Sequence, residues 1–360
     1  MAGVICQHNT QCNNYAQRSD HHRHDDQPDH PHHQTHRPTQ LHLLSSIPLA
    51  IPLFHPNNNP PHLPQRPHSP PNLLDARNPT PPNHPHKPPL PLPAILTYDR
   101  FGQGQTPSRD PLDTNAPDPS HGHDILSAVA DLHQLILQIA QTHLNITDPF
   151  PTTTTQPTSP NLQIIFTANS LGCALARVYA QTYPGTVSAL LLLDSILANS
   201  DFVSVFPDPS TFDPSTTLPE GITSQDLAIA RAIASKVFHP SVGNKEGLSR
   251  RNLASLLPDS NGPRLTGPDG KGPWVTVVGH DGVAFAEESV KMSGGRVSGR
   301  VFEEYVTPYW GEYNRGLVGL TEEERGRGPV VAEGSGHVVQ LGNPAVVGRE
   351  LAGLLDRVLG

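Results

Sequence analysis

From Ala94 onward, short apolar runs alternate with stretches of helical periodicity, a pattern that predicts an α/β fold: a mostly parallel sheet with helices on both faces. The predicted strands are Ala94–Tyr98, Leu162–Thr167, Val187–Leu193, Trp274–Val278 and Pro329–Ala332, some apolar almost without a break, as strands covered on both sides are. Ile125, Val129, Leu132, Ile136 and Ile139 recur three or four residues apart and give one helix an apolar face, with Asp124 placed to start it. Leu171, Leu175, Val178 and Tyr179 mark a second helix, ended by Pro184 and Gly185. Asn343 as N-cap and Pro344 in the first turn open a third, with Val347, Leu351, Leu354 and Val358 on one side. The stretch 196–272 interrupts this alternation. It is rich in Pro, Ser and Asp, offers two helical patterns at Ser224–Phe238 and Leu248–Leu257, and is expected to form a lid insertion.

Before Pro93 the pattern fails. Pro, His, Asn and Gln crowd this region, and no glycine occurs between Gly3 and Gly102. Tight turns between strands need the positive φ that glycine supplies, and frequent proline removes backbone donors. Residues 1–92 therefore read as a disordered, His/Pro-rich leader, and 93–360 as one folded domain. Leu41–Phe54 is the most apolar part of the leader, but it is too short to span a bilayer and is broken by Pro48 and Pro52. Thr152–Thr155, flanked by Pro151 and Pro157, reads as a surface loop.

The net charge of −9 comes from acidic residues scattered along the chain, which leaves no basic stripe for nucleic acid or an anionic membrane, and neither is expected as a partner. Cys6, Cys12 and Cys173 are too few for a disulfide framework, and Met1–Cys12 holds no apolar run of the signal-peptide kind, so a cytoplasmic location is expected. His21, His22, His24, His30, His32, His33 and His36 cluster in a segment without the rigid frame that a metal site needs; no metal or cofactor is expected. Pro88–Pro93 reads as a stiff linker, with docking to an SH3-like groove as the alternative. Oligomeric state has no signature in the sequence.

Ala168-Asn169-Ser170-Leu171-Gly172 stands between a predicted strand and a predicted helix and matches a small-x-Ser-x-small turn that exposes a nucleophile, Ser170, at the strand end. With Tyr98-Asp99-Arg100-Phe101-Gly102-Gln103-Gly104, Leu191-Leu192-Leu193-Asp194-Ser195 and Gly334-Ser335-Gly336-His337 following the family's order, the chain from Tyr98 to its end resembles the α/β-hydrolase family. The resemblance implies His337 as base and a carboxylate that orients it. Asp281, after the seventh strand of the family, is the choice, with Asp194 as the alternative acid. It implies an oxyanion hole that uses the Leu171 backbone N–H and an N–H from a glycine-rich loop after the third strand.

A small-molecule ester, thioester or related acyl substrate follows, hydrolysed through an acyl-enzyme, with transfer to another acceptor as the alternative. Ser170 in place of aspartate argues against epoxide opening and halide removal. The family's first three strands find no match before Ala94, and the second oxyanion loop is missing with them. Because one lost oxyanion donor costs roughly 10² to 10³ in turnover, a catalytically impaired or inactive protein is the rival expectation. The family's third strand lies between the predicted strands Ala94–Tyr98 and Leu162–Thr167. Leu41–Phe54 is the one leader segment apolar enough to replace it, its prolines fit a central strand poorly, and a chain with that gap open is expected to aggregate.

Overall fold

The computed structural model describes residues 51–54, 93–108, 110, 123–150, 162–213, 217–243 and 246–359. Eight strands lie within these: β1 Ile51–Phe54, β2 Ala94–Leu96, β3 His123–Asp124, β4 Gln163–Ser170, β5 Val187–Ser195, β6 Leu248–Ser249, β7 Trp274–His280 and β8 Gly326–Ala332. The main sheet has the order β2-β1-β4-β5-β7-β8. Its last four strands run parallel to one another, while β1 runs antiparallel to both β2 and β4.

Alternation along the strands sorts the core into two layers. Ile164, Phe166 and Ala168 of β4, Leu190 and Leu192 of β5, and Val275 and Val277 of β7 share one apolar cluster. Helices α1 Ile125–His143 and α2 Leu171–Thr182 bury Leu132, Ile136, Val178 and Tyr179 in it. Ile165, Ala189, Leu191, Leu193, Val278 and Ala332 point the other way, towards Val346 and Leu354 of the C-terminal helix Pro344–Leu359. This is the period of two that a sheet covered on both faces requires. The predicted caps are in place: Asp124 accepts the Ser127 amide at 2.9 Å and Asn343 accepts that of Val346 at 3.1 Å.

The connection from β5 to β7, residues 196–272, carries α3 Ser224–Val237, strand β6 and the single turn α4 Leu253–Leu256. Of the predicted helix Leu248–Leu257, only the last turn is helical; its start pairs as a strand, β6, with β3. Arg177 of α2, fully buried, ties this connection down by donating to the carbonyls of Asp259 at 2.8 Å and Gly262 at 3.3 Å. Helix α5 Gly282–Met292 follows β7 directly. After it come α6 Gly299–Val301, a π-helical turn at Phe302–Val306 and α7 Thr307–Leu317, then α8 Val339–Gly342 and α9 Pro344–Leu359.

The place expected to stand open between Ala94–Tyr98 and Leu162–Thr167 is filled by β1, from within the stretch read as a disordered leader. Leu53 pairs with Ala94 on one side and Ile164 on the other. Pro52 stands opposite Ile95, and the pairing with β4 involves Leu53 and Phe54 alone, so the missing proline donor falls outside the β1–β4 register. The other leader residues and the loop at Thr152–Thr155 lie outside the described residues. Among the described residues, no helix is long and apolar enough to cross a membrane.

Candidate functional site

The C-terminal ends of β4, β5, β7 and β8 converge on one group of side chains. At the end of β4 the chain enters α2 without a connecting loop, and Ser170 takes φ 53° and ψ −122°, a conformation that side-chain-bearing residues rarely adopt. Its surroundings hold it there. The Ser170 carbonyl accepts the Ile196 amide at 3.1 Å, and buried Asn169 donates to the carbonyls of Leu193 at 2.9 Å and His337 at 3.0 Å. Asn169 thus bolts the Ser170 turn to β5 and to the loop carrying His337. Leu171 opens α2, and its N–H has no acceptor within the helix, because first-turn amides point out of the helix start.

His337 and Ser170 line the same cavity, with no hydrogen bond between the Ser170 hydroxyl and the imidazole. The other face of the imidazole is fixed: Nδ1 meets Asp194 Oδ2 at 2.6 Å. Asp194, the penultimate residue of β5, has φ 40° and is wholly buried. Its second oxygen, Oδ1, meets His280 Nδ1 at 2.9 Å and accepts Asn314 Nδ2 at 3.4 Å. One carboxylate therefore serves two imidazoles. His280 is stacked on Phe285, with ring centroids 4.2 Å apart, and meets Trp310 edge-on. Trp310 in turn donates its indole N–H to the Ser195 carbonyl at 2.7 Å and lies 5.3 Å from the His337 ring.

The carboxylate that meets His337 is Asp194, the alternative acid read from the sequence, while Asp281, the first choice, is engaged elsewhere. Helix α5 begins at Gly282, immediately after β7, so Asp281 is its N-cap. It accepts the amides of Val283 at 2.9 Å, Ala284 at 3.3 Å and, across the sheet end, Gly334 at 3.1 Å. Helix-start N–H groups engage one of its oxygens and the loop after β8 the other, and the Gly334 hydrogen bond heads the causes that hold its carboxyl below the usual range. Glu288 of α5 does related work, accepting the His337 backbone N–H at 2.9 Å. Asp281 and Glu288 together pin the loop from which His337 projects.

Burial pushes the His337 imidazole down, but the hydrogen bond and charge of Asp194, with Glu288 and Glu246 nearby, carry it above its ordinary value. Burial likewise works against ionised Asp194, and the two histidines overcome it, holding the carboxyl below the usual range. The raised His337 value contributes stability below the unfolded pKa of about 6.5, lost as pH rises through the folded value. The depressed Asp194 value contributes above about 3.9, lost as pH falls through its folded value.

Asn169, Glu288, His280 and Trp310 were not identified as site residues from sequence. His280 stands inside the Gly279-His280-Asp281-Gly282 segment, where the residue after it drew attention as the carboxylate. Burial pushes the Cys173 thiol up, and its Sγ lies 3.1 Å from the Ala168 carbonyl, which makes it an inert packing group beneath the turn. Elsewhere, Asp110, His123 and Asp131 bring donor atoms within 4.8 Å of one another, a grouping that could hold a cation, with His123 Nδ1 already 2.7 Å from Asp110 Oδ2. No family model, curated protein or solved structure matches this chain.

Proposed function

We propose that the chain is a serine hydrolase of the α/β-hydrolase kind, acting on ester, thioester or related acyl bonds. The observation that carries this reading is the convergence at one sheet end: Ser170 in a strained strand-to-helix turn, His337 on the wall of the same cavity, and buried Asp194 bonded to His337 Nδ1 at 2.6 Å. In this mechanism the Ser170 hydroxyl attacks the acyl carbonyl while His337 Nε2 takes its proton. With Nδ1–H donated to Asp194, Nε2 is the nitrogen left to act as base, and the carboxylate stabilises the imidazolium that forms. The oxyanion is received by the Leu171 N–H at the start of α2. His337 then protonates the leaving group, and water resolves the acyl-enzyme by the same route. Residues 196–272 supply Phe202, Phe206, Ile233 and Arg250 to the cavity wall, which supports reading that connection as a lid over the site.

Labelling the full chain with a fluorophosphonate probe tests this reading, since only an activated serine reacts at an appreciable rate. Labelling is expected in the parent protein and lost in Ser170→Ala. Equal labelling of both, or of neither, would reject it.

The pH profile gives a second test. His337 must be neutral to act as base, and its value is raised, so kcat/KM is expected to fall on the acid side through an apparent pKa above about 6.5. In Asp194→Asn the residual activity should keep this limb at lower pH. A limb below 6 in the parent protein would contradict the pairing with Asp194.

A further inference from the structure

The cavity that Ser170 and His337 share has a volume of about 330 Å³. Its walls are built for one kind of chemistry. Five phenylalanines, Phe202, Phe206, Phe238, Phe285 and Phe302, surround it together with Ile233, and they come from four separate stretches of the chain. Ile196, which donates to the Ser170 carbonyl, continues the same surface to the serine itself. The chamber is therefore contiguous with the attacking hydroxyl.

Three charged side chains reach this wall: Glu246, Arg250 and Glu288. Burial disfavours the charged forms of both Glu246 and Arg250, and each lies close enough to favour the other's charge. Glu288 is committed to the His337 backbone. Among the described residues of the wall two carboxylates stand against one guanidinium, so no surplus positive charge is left to receive a substrate carboxylate, and a buried carboxylate without a counter-charge is strongly disfavoured.

Resting on the serine-hydrolase reading, we infer that the chamber is an acyl-binding subsite for an uncharged, medium-length acyl group of about six to ten carbons. At the roughly 30 Å³ that a water-sized group occupies, a 330 Å³ cavity has room for about ten non-hydrogen atoms. The acyl arm is assigned to it because the chamber continues from Ser170 along Ile196 and Leu197 towards Phe202 and Phe206. Each methylene buried against such walls strengthens binding about fourfold, until the chamber is full.

The test uses the full chain and p-nitrophenyl esters of acetate, butyrate, hexanoate, octanoate, decanoate and palmitate. Alongside them run acetate esters of rising alcohol length and the monoester of suberic acid, whose far end is a carboxylate. A small ethyl fluorophosphonate reports on Ser170 independently of chain length. The expected result is kcat/KM rising about three- to fourfold per methylene to about eight carbons and levelling or falling beyond ten. The suberate monoester should fall at least 100-fold below octanoate. In Ala230→Leu, which narrows the chamber, the octanoate-to-acetate ratio should drop at least tenfold; if that variant does not fold, Ile233→Phe gives the same reading. Labelling with the small probe alongside a flat acyl series, an alcohol-length dependence instead, or good suberate turnover would overturn the inference while leaving the hydrolase reading intact. Absence of labelling would overturn both.

Discussion

Asp194→Asn is expected to lower ester turnover by about 10⁴, whereas Asp281→Asn stays within about threefold of the parent protein. The difference follows from what each carboxylate touches. Asp194 accepts from two imidazoles, one on each oxygen, and is wholly buried. An asparagine amide has a single oxygen, so it can accept from only one of them. If it turns its NH₂ towards His337, Nδ1 becomes the acceptor and Nε2 carries the proton, the wrong tautomer for a base. If it turns its NH₂ towards His280, the shape of the site survives, but the negative charge that stabilises imidazolium does not. Asparagine at position 281, in contrast, keeps a cap oxygen for the start of α5, and asparagine is as good an N-cap as aspartate. The measurement is kcat/KM with a fixed ester, alongside thermal melts to separate loss of chemistry from loss of fold. Comparable losses of activity in the two variants, with both folded, would reject Asp194 as the orienting acid.

The contrast between these two aspartates also marks how far the sequence could be read. Ser170 and His337 were legible because each stands where a local pattern changes: a strand running into a helix for one, a glycine-rich loop between the last strand and last helix for the other. The strands β2, β4, β5, β7 and β8 were legible for the same reason, as apolar runs bounded by breakers. The carboxylate that meets His337 was legible only as an alternative, because β5 and β7 both end in an aspartate region and the choice depends on backbone details invisible in the pattern. Asp194 is turned inward by a φ of 40°, while Asp281 is captured by a helix that starts one residue later.

The stretch behind Asp281 was equally obscure. Its helical period is interrupted by the π turn Phe302–Val306, and Pro308 follows in the first turn of α7, so the apolar positions around Trp310 fall out of phase with any single helix. That phase shift delivers Trp310 to the rings of His280 and His337.

Strand β1 was the hardest element to place, since its composition belongs to the leader and its register depends on partners more than 40 and 100 residues away. Leu53→Pro is expected to lower stability by about 3 kcal/mol or more. Leu53 is the residue through which β1 pairs with both neighbours, Ala94 on β2 and Ile164 on β4. Proline there removes a backbone donor from an interior strand and leaves at least one buried carbonyl unpaired, each such group costing about 1 to 3 kcal/mol, in addition to the steric conflict of the ring. For a domain of this size that corresponds to a fall in Tm of about 6 to 12 °C. Pro52→Ala is the control, because Pro52 stands opposite Ile95 alone and outside the β1–β4 register, and its change should stay within about 1 kcal/mol. Amide hydrogen exchange locates the effect: protection at Gln163, Ile164 and Ile165 should drop in Leu53→Pro well before that of β5 and β7, since β4 would become the edge of the remaining parallel sheet. An unchanged melting temperature together with unchanged protection along β4 in Leu53→Pro would remove β1 from the sheet and reopen the gap beside β4.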